Sequence, residues 1–462
     1  MTIDRRAMLP ERLRRVWRGY GMLGVLILLC VFFSVVTMTE QQLTGRDAAE
    51  ALAGEVSAQS ASGAGVLILG RSIDEDSIFV HELRALLARR GTQVVDARTG
   101  DPALLRETLL EVGASRVRIG VIASPGALQP VIRGVIAGSG ELADVTLLSP
   151  PSSRWPTFLL ADNLRNVANQ ISVIAIIAIG MTMVIIAGGI DLSVGSLIAL
   201  SAVVAAGLIA AMGGTGASGG VIWLACAAAV VICGATGAFS GLMITTFRIP
   251  PFIATLAMMQ VAAGVAYIIS QGRPIYQIPD SFIWLGRGTE PLLRIPHAVT
   301  LMIVLYAAAH VIMTRTTLGR YIYAIGGNSE AARLAGIRVN AVQFAVYTVS
   351  GMLAGLGGVV MASQLKSGAP TYGLAYELHV IAAVVVGGAS LSGGEGRILG
   401  TLIGALVIGV IQNGMNLTNV ESYTQKVVLG LVILAAVLLD QLKHRGSGLR
   451  RWFNRTGEPK NT

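Results

Sequence analysis

The sequence is short of charge. Only 13% of its 462 residues are Asp, Glu, Lys or Arg, about half of the roughly 25% usual in soluble domains. That excludes a wholly soluble globular protein. Cysteine is scarce as well. Cys30, Cys226 and Cys233 stand in apolar runs with no metal-ligand spacing, so they read as small hydrophobes. No Walker A motif occurs, because no Gly is followed by Lys, and without that lysine no P-loop can hold the β- and γ-phosphates. Acids at membrane depth are limited to Asp191, Glu377 and Glu395, each explicable as a helix cap or loop residue. An ion-coupled transporter usually needs more intramembrane relays than that.

Apolar residues are plentiful instead, at 53%, with a mean hydropathy of +0.67. Several runs reach the ~20 residues needed to cross a bilayer. The expected fold is therefore a polytopic α-helical membrane protein with about ten transmembrane helices. Its 56 glycines suit closely packed and broken membrane helices. The net charge of +9 gathers at membrane ends, which argues for lipid contact and against nucleic acid.

Arg5, Arg6, Arg12, Arg14, Arg15 and Arg18 precede the apolar run Tyr20 to Val36. They read as a cytoplasmic tail and an uncleaved first helix, residues 1–37. A cleaved signal peptide has the same layout, and both readings send the next segment outside. Residues 38–157 then take on soluble composition. Ala48 to Gly65 reads as a linker. Strands are expected at 65–70, 92–96, 117–123 and 144–148, alternating with helices at 77–90, 104–112 and 128–137. This is the pattern of a small extracytoplasmic α/β domain with a parallel sheet, inserted between the first two helices. Gly70-Arg71-Ser72 is a plain tight turn or a phosphate turn. Asp74, Glu75 and Asp76 suit a helix N-terminus, with a cation as the sharper alternative, and His81 reads as a solvated side chain. No catalytic triad or metal cluster is visible, so neither an enzyme nor a cofactor is expected.

The remaining spans fill residues 158–445, and a basic cytoplasmic tail follows at 446–462. Asp162-Asn163 is placed to cap the second span. Gly188-Gly189-Ile190-Asp191-Leu192-Ser193-Val194-Gly195-Ser196 interrupts an apolar run. Paired glycines weaken a helix. Asp191 either caps the helix that follows or marks a broken helix beside a polar path, and the two are compatible. A second interruption, Gly387 to Arg397, holds Ser390 and Ser392 among glycines. It lacks the lysine and the preceding strand of a P-loop, which leaves a tight helix–helix turn.

The longest polar interruption of the second half is Arg315 to Asn340. Arg315, Arg320, Arg333 and Arg338 keep it in the cytoplasm. The short external loops and their margins carry only Arg165, Arg273, Arg287, Arg294, Lys366 and Lys426. Both termini are therefore expected inside. Asn328 or Ser329 can cap a short helix, Glu330 suits its first turn, and Gly336 can close it. It reads as a partner-binding knob or as an ordinary capped loop helix.

The wording Glu330-Ala331-Ala332-Arg333-Leu334-Ala335-Gly336 resembles the ATPase-docking loop of ABC importer permeases, although no Leu-Pro pair closes it. IAIGMTMVIIAGGIDLSVGSLIALSAVVAA, PPFIATLAMMQVAAGVAYIISQGRPI, GRYIYAIGGNSEAARLAGI and VVVGGASLSGGEGRILGTLIGALVIGVIQNGMNL together resemble the sugar-type ABC importer permeases, the ribose, xylose, arabinose and galactose group. The likeness extends over residues 16–37 and 157–445. Members of that group usually join their first two helices by a short loop, and here residues 38–157 intervene.

The resemblance implies a permease subunit for a monosaccharide in a bacterial cytoplasmic (inner) membrane, working as a homodimer. It implies an ABC ATPase subunit and an extracytoplasmic sugar-binding protein as partners. Glu330, Ala331, Ala332, Arg333 and Gly336 become the docking residues. Asp191, Ser193, Gly195, Ser390 and Ser392 become the path residues, and 387–397 flanks the central cavity. The 38–157 domain would be an extra dock for the binding protein or a sensor of a small ligand. The competing class is an ion-coupled secondary transporter of a small polar solute. A membrane receptor is a third class, and the sequence lacks a cytoplasmic output domain for it.

Overall fold

Glycine and proline punctuate a chain that is otherwise mainly helical. The computed structural model describes residues 8–60, 64–114, 118–138, 142, 144–291 and 294–438. The basic tail expected at 446–462, and Arg5 and Arg6, lie outside these residues. Helix α1 runs from Met8 to Val36. The chain forms two compact units, one of them Met38–Thr157.

Within that unit the elements are β1 (Met38–Gln42), α2 (Gly45–Gln59), β2 (Gly65–Arg71), α3 (Asp74–Arg89), β3 (Val94–Gly100), α4 (Pro102–Ala114), β4 (Ile119–Ala123), α5 (Gln129–Gly138), β5 (Thr146–Leu148) and β6 (Ser152–Pro156). Four strands form a parallel sheet in the order β3-β2-β4-β5. Val66 to Leu69 of β2 are fully buried, as expected of a strand covered on both faces. Helices α2 and α3 share one core with Val66 and Ile68, while α4 and α5 cover Leu67 and Leu69.

Several expectations shift here. The stretch read as a linker is helix α2. Ala48, Ala49, Leu52, Ala53 and Val56 are buried along one face, a helical stripe built from residues small enough to pass for linker composition. The expected strand at 92–96 is displaced toward the C-terminus, to Val94–Gly100. Gly70-Arg71 continues β2, so the turn begins only at Ser72. Asp76 is buried and paired with Arg71, so the acidic run is split between a buried partner and the exposed Asp74 and Glu75. Strands β1 and β6 had no counterpart in the sequence reading. They pair antiparallel from Met38↔Pro156 to Gln42↔Ser152.

The second unit is built from α6 (Ala161–Ile186), α7 (Val194–Ala211), α8 (Gly219–Thr246), α9 (Pro251–Ser270), α10 (Trp284–Arg287), α11 (His297–Arg315), α12 (Thr317–Gly327), α13 (Ser329–Leu334), α14 (Val339–Leu365), α15 (Tyr376–Val386) and α16 (Ile398–Leu417), followed by α17 (Ser422–Leu438). Among the described residues, seven helices are long and apolar enough to cross a membrane: α6, α7, α8, α9, α11, α14 and α16. The molecule is thus a polytopic helical membrane protein.

Helix α6 is the hub, with 89% of its apolar window buried against 22% for peripheral α9. Leu160 precedes α6 without a side-chain cap, so the cap expected at Asp162-Asn163 is not formed. Asp162 pairs with Arg165 at 2.7 Å. Asn163 instead exchanges two amide hydrogen bonds with Asn413 of α16, at 3.1 and 2.9 Å. Tyr306 of α11 donates to the Ala175 carbonyl at 3.0 Å, which ties a third helix to the hub.

Helices α8 and α14 meet through glycine. A Cβ on Gly237 would stand 2.3 Å from the Tyr347 carbonyl oxygen, and one on Gly351 the same distance from that of Cys233. The two backbones touch, which is how membrane helices associate where burying apolar surface gives no advantage over lipid.

Candidate functional site

Three chain breaks converge in the second unit: the one after α6, the one after α15, and the polar segment α12–α13. Each is made by residues that cannot continue a helix.

The first break follows Ile186. Gly188 takes a positive φ of 85°, open to glycine without strain. Asp191 lies beyond it, 1% exposed. Its Oδ1 accepts from the Ser193 backbone N–H at 3.0 Å and from the Ser193 hydroxyl at 2.6 Å. Its Oδ2 accepts from the Ser350 hydroxyl of α14 at 2.8 Å. Helix α7 starts at Val194, not Leu192, and Ser193 stands at its N-cap without a side-chain cap, so Asp191 serves the residue before the helix and the simple cap expected of it is not formed. Asp191 takes the N–H of Ser193, just ahead of α7, and ties that segment to α14.

Thr255 of α9 holds the same bend. Its hydroxyl oxygen accepts from the Leu192 N–H at 3.1 Å. Gly189 sits under Tyr347, where a Cβ would be 2.2 Å from the phenol oxygen. That oxygen is buried without a hydrogen-bond partner among the described residues. Ser193 is fully buried. Gly195 faces α15, and a Cβ there would be 2.2 Å from Glu377 Oε2. Asp191, Ser193 and Gly195 thus lie at a sealed junction of α7, α14 and α15.

The second break is Gly387 to Arg397. Ser390 is buried at 2% exposure and shapes the turn. Its N–H donates to the Glu395 carbonyl, and its own carbonyl accepts from Gly393. The Ser392 N–H donates to the Ser390 hydroxyl at 3.3 Å, and Ser392 itself is exposed. Ser390 and Ser392 belong to this turn, while Asp191 and Ser193 belong to the cluster at the head of α7.

The third element is α12–α13. The Asn328 side chain caps α13 by accepting from the Ala331 N–H at 2.9 Å. Glu330 pairs with Arg333 at 2.9 Å, both well exposed. Gly336 closes the helix at a φ of 86°, with Gly336 N–H on the Arg333 carbonyl and Ile337 N–H on that of Ala332, a glycine-terminated stop. Ala332 is buried, Ala331 is exposed, and Leu334 is 81% exposed. Leu334 is not among the residues singled out from the sequence.

The third element meets the other two through close backbone contact and one side-chain hydrogen bond. A Cβ on Gly326 would stand 1.7 Å from the Ile186 carbonyl oxygen and 2.5 Å from the Gly394 nitrogen. Gly394 donates its N–H to that same Ile186 carbonyl at 2.9 Å. A Cβ on Gly393 would be 3.1 Å from the Gly188 Cα. The Tyr323 hydroxyl of α12 donates to the Gly396 carbonyl at 2.8 Å. The end of α12, the turn after α15 and the end of α6 therefore form one knot, whose Gly188 is three residues along the chain from Asp191. Sequence reasoning found all three segments without their junction, because Gly326 and Gly327 stood inside a stretch read as a loop.

Comparison with known proteins gives this geometry a context. Residues 163–437 match the family described as branched-chain amino acid transport system / permease component. Residues 38–157 lie outside that match. The chain is 45% identical to the ribose import permease protein of Escherichia coli over 306 residues, covering 65% of this chain and 92% of that protein. It is 44% identical to the ribose import permease protein of Bacillus subtilis over 288 residues, 62% of this chain and 87% of that protein. The L-arabinose transport system permease protein of Escherichia coli is 36% identical over 290 residues, 63% of this chain and 86% of that protein. No solved structure matched the chain.

Proposed function

The chain belongs to the family of transport-system permease components that its residues 163–437 match, and from that premise we propose how it moves its solute. It is the membrane permease subunit of an ABC sugar importer, and it is not an enzyme, since ATP hydrolysis resides in a separate subunit. The sugar is a pentose or hexose monosaccharide, as the named ribose and arabinose relatives support. It arrives from an external binding protein and crosses the inner membrane between two copies of this chain.

The reading takes ten segments into the membrane. They are the seven long helices, the apolar part of α1, and the short α15 and α17. Both termini then lie in the cytoplasm, with α12–α13 on that side, and residues 38–157 form an external domain inserted after α1. Segment α13 docks on the ATPase through Glu330, Ala331, Arg333 and the exposed Leu334, with Ala332 and Gly336 setting its shape. Asp191, Ser193, Gly195, Ser390 and Ser392 flank the path. The observation that carries the mechanism is the glycine knot. A push on α13 reaches α12, and Gly326 passes it by backbone contact to the end of α6 and the turn at 387–397. A rigid contact of this kind transmits displacement because packed backbone does not absorb it.

Docking is tested by co-purification. The double variant Glu330→Arg with Gly336→Asp reverses one exposed charge and puts a side chain on a positive φ. Wild type is expected to retain the ATPase and the variant to lose it, with uptake falling in parallel. Equal retention by both would remove α13 from the interface. If no ATPase binds and uptake follows a proton or sodium gradient, ion coupling replaces the importer mechanism.

The external domain is proposed as an extra docking surface for the binding protein. Excising residues 45–150 leaves β1 and β6 to close on each other. Uptake from the binding protein is then expected to drop while the ATPase still co-purifies. Unchanged uptake would overturn the docking role.

A further inference from the structure

The Met38–Thr157 unit contains a cleft of about 360 Å³, within the ~300–1,000 Å³ usual for small-molecule sites. Its position follows from topology. The chain leaves central β2 for β3 on one side and later returns to β4 on the other. Open parallel sheets bind ligands outside the carboxyl ends of their strands, where the order reverses in this way. Arg71 ends β2, Pro125 to Ala127 follow β4, and Pro150 follows β5, and all of them line the cleft. Glu40, Gln42 and Thr44, from β1 and the residues after it, complete the lining.

The polar groups there are held in place. Arg71 donates from Nε and Nη2 to the two oxygens of Asp76, at 2.8 and 3.1 Å, and its backbone N–H also reaches Asp76 at 2.9 Å. The Asp76 side chain is 3% exposed and that of Arg71 is 40% exposed. A guanidinium has five N–H donors, so a fixed fork still offers the rest to the cleft. Gln42 is fixed as well, its Oε1 accepting from the Gly126 N–H at 2.6 Å. A Cβ on Gly126 would stand 1.9 Å from the Gln42 amide nitrogen, so the glycine makes room for that contact. Ser124, next to the lining residue Pro125, keeps a buried hydroxyl with no hydrogen-bond partner among the described residues.

Charge narrows the occupant. Glu40 and Asp76 set two carboxylates against the single guanidinium of Arg71 in the lining, a formal balance of −1 that disfavours an anion. Hydroxyl groups both accept from Arg71 and donate to Glu40, while Phe79, Pro125 and Pro150 offer apolar surface to C–H faces. We propose that this cleft binds a small neutral polyhydroxylated solute. The proposal rests on the Met38–Thr157 unit alone and goes beyond the transport reading.

The test is calorimetric titration of the full chain in lipid nanodiscs with D-ribose, L-arabinose, D-galactose, myo-inositol and inorganic phosphate. Ala127→Trp fills the cleft from an exposed position, and Arg71→Lys keeps the charge but loses the fork. At least one polyol is expected to bind wild type, and both variants to weaken it about tenfold or more. Thermal melting of each variant checks that it is folded. Three results would overturn the proposal: no polyol binds, Ala127→Trp binds as tightly as wild type, or phosphate alone binds.

Discussion

Replacing Gly326 by valine is expected to abolish uptake while the ATPase still co-purifies. The groups that a Cβ would strike at 1.7 and 2.5 Å, the Ile186 carbonyl and the Gly394 nitrogen, are both backbone. Neither can rotate away as a side chain would. Overpacking of this kind typically costs ~1–3 kcal/mol. The larger effect is on coupling, because α12 must move off the end of α6 and off the 387–397 turn together. Uptake is expected to fall at least about tenfold, a barrier or population change of ~1.4 kcal/mol. Gly327→Ala is the matched control, since nothing lies within 4 Å of a Cβ there, and it should transport as wild type. The measurement is solute uptake beside ATP turnover in reconstituted vesicles. If Gly326→Val transports normally, the glycine knot is not the transmission element.

The second large effect is expected at Asp191. Alanine there would strand the Ser193 N–H, the Ser193 hydroxyl and the Ser350 hydroxyl, all in a buried setting. Each unsatisfied group typically costs ~1–3 kcal/mol. Asp191→Ala should therefore lower the melting temperature and remove uptake together. Asp191→Asn keeps an oxygen for Ser193, and the Ser350 hydroxyl can turn to accept from the new amide. It should recover most of both. Ion coupling makes the opposite forecast, since an amide cannot relay a proton. Loss of uptake in Asp191→Asn as complete as in Asp191→Ala, with normal melting, would mark a relay instead of a structural pin.

What was legible in the chain was what is local. Gly188-Gly189 beside Asp191 announces a broken helix, because paired glycines and an acid in an apolar run leave few other outcomes. Asn328, Glu330 and Gly336 spell out the start, first turn and stop of α13. The partners were not legible. Ser350 lies 159 residues from Asp191, and nothing around it distinguishes it from any serine in a membrane helix. Tyr347, Thr255 and Gly326 were hidden for the same reason. In the Met38–Thr157 unit, the alternation of strands and helices was visible, while α2 passed for a linker through its alanines. Strands β1 and β6 escaped because their residues are largely exposed, so no hydrophobic alternation marked them.

The β1–β6 ribbon has a consequence for how such a chain is acquired. Met38 and Pro156 are register partners, and opposite residues of an antiparallel pair have Cα atoms only ~4.5–5.5 Å apart. A segment of more than a hundred residues therefore begins and ends at nearly one point. To a host chain it presents the span of a hairpin turn, whatever lies between its ends. Such a cassette can be gained, lost or exchanged in one recombination step without asking its host to stretch. The same two residues mark where a foreign domain could be grafted in its place.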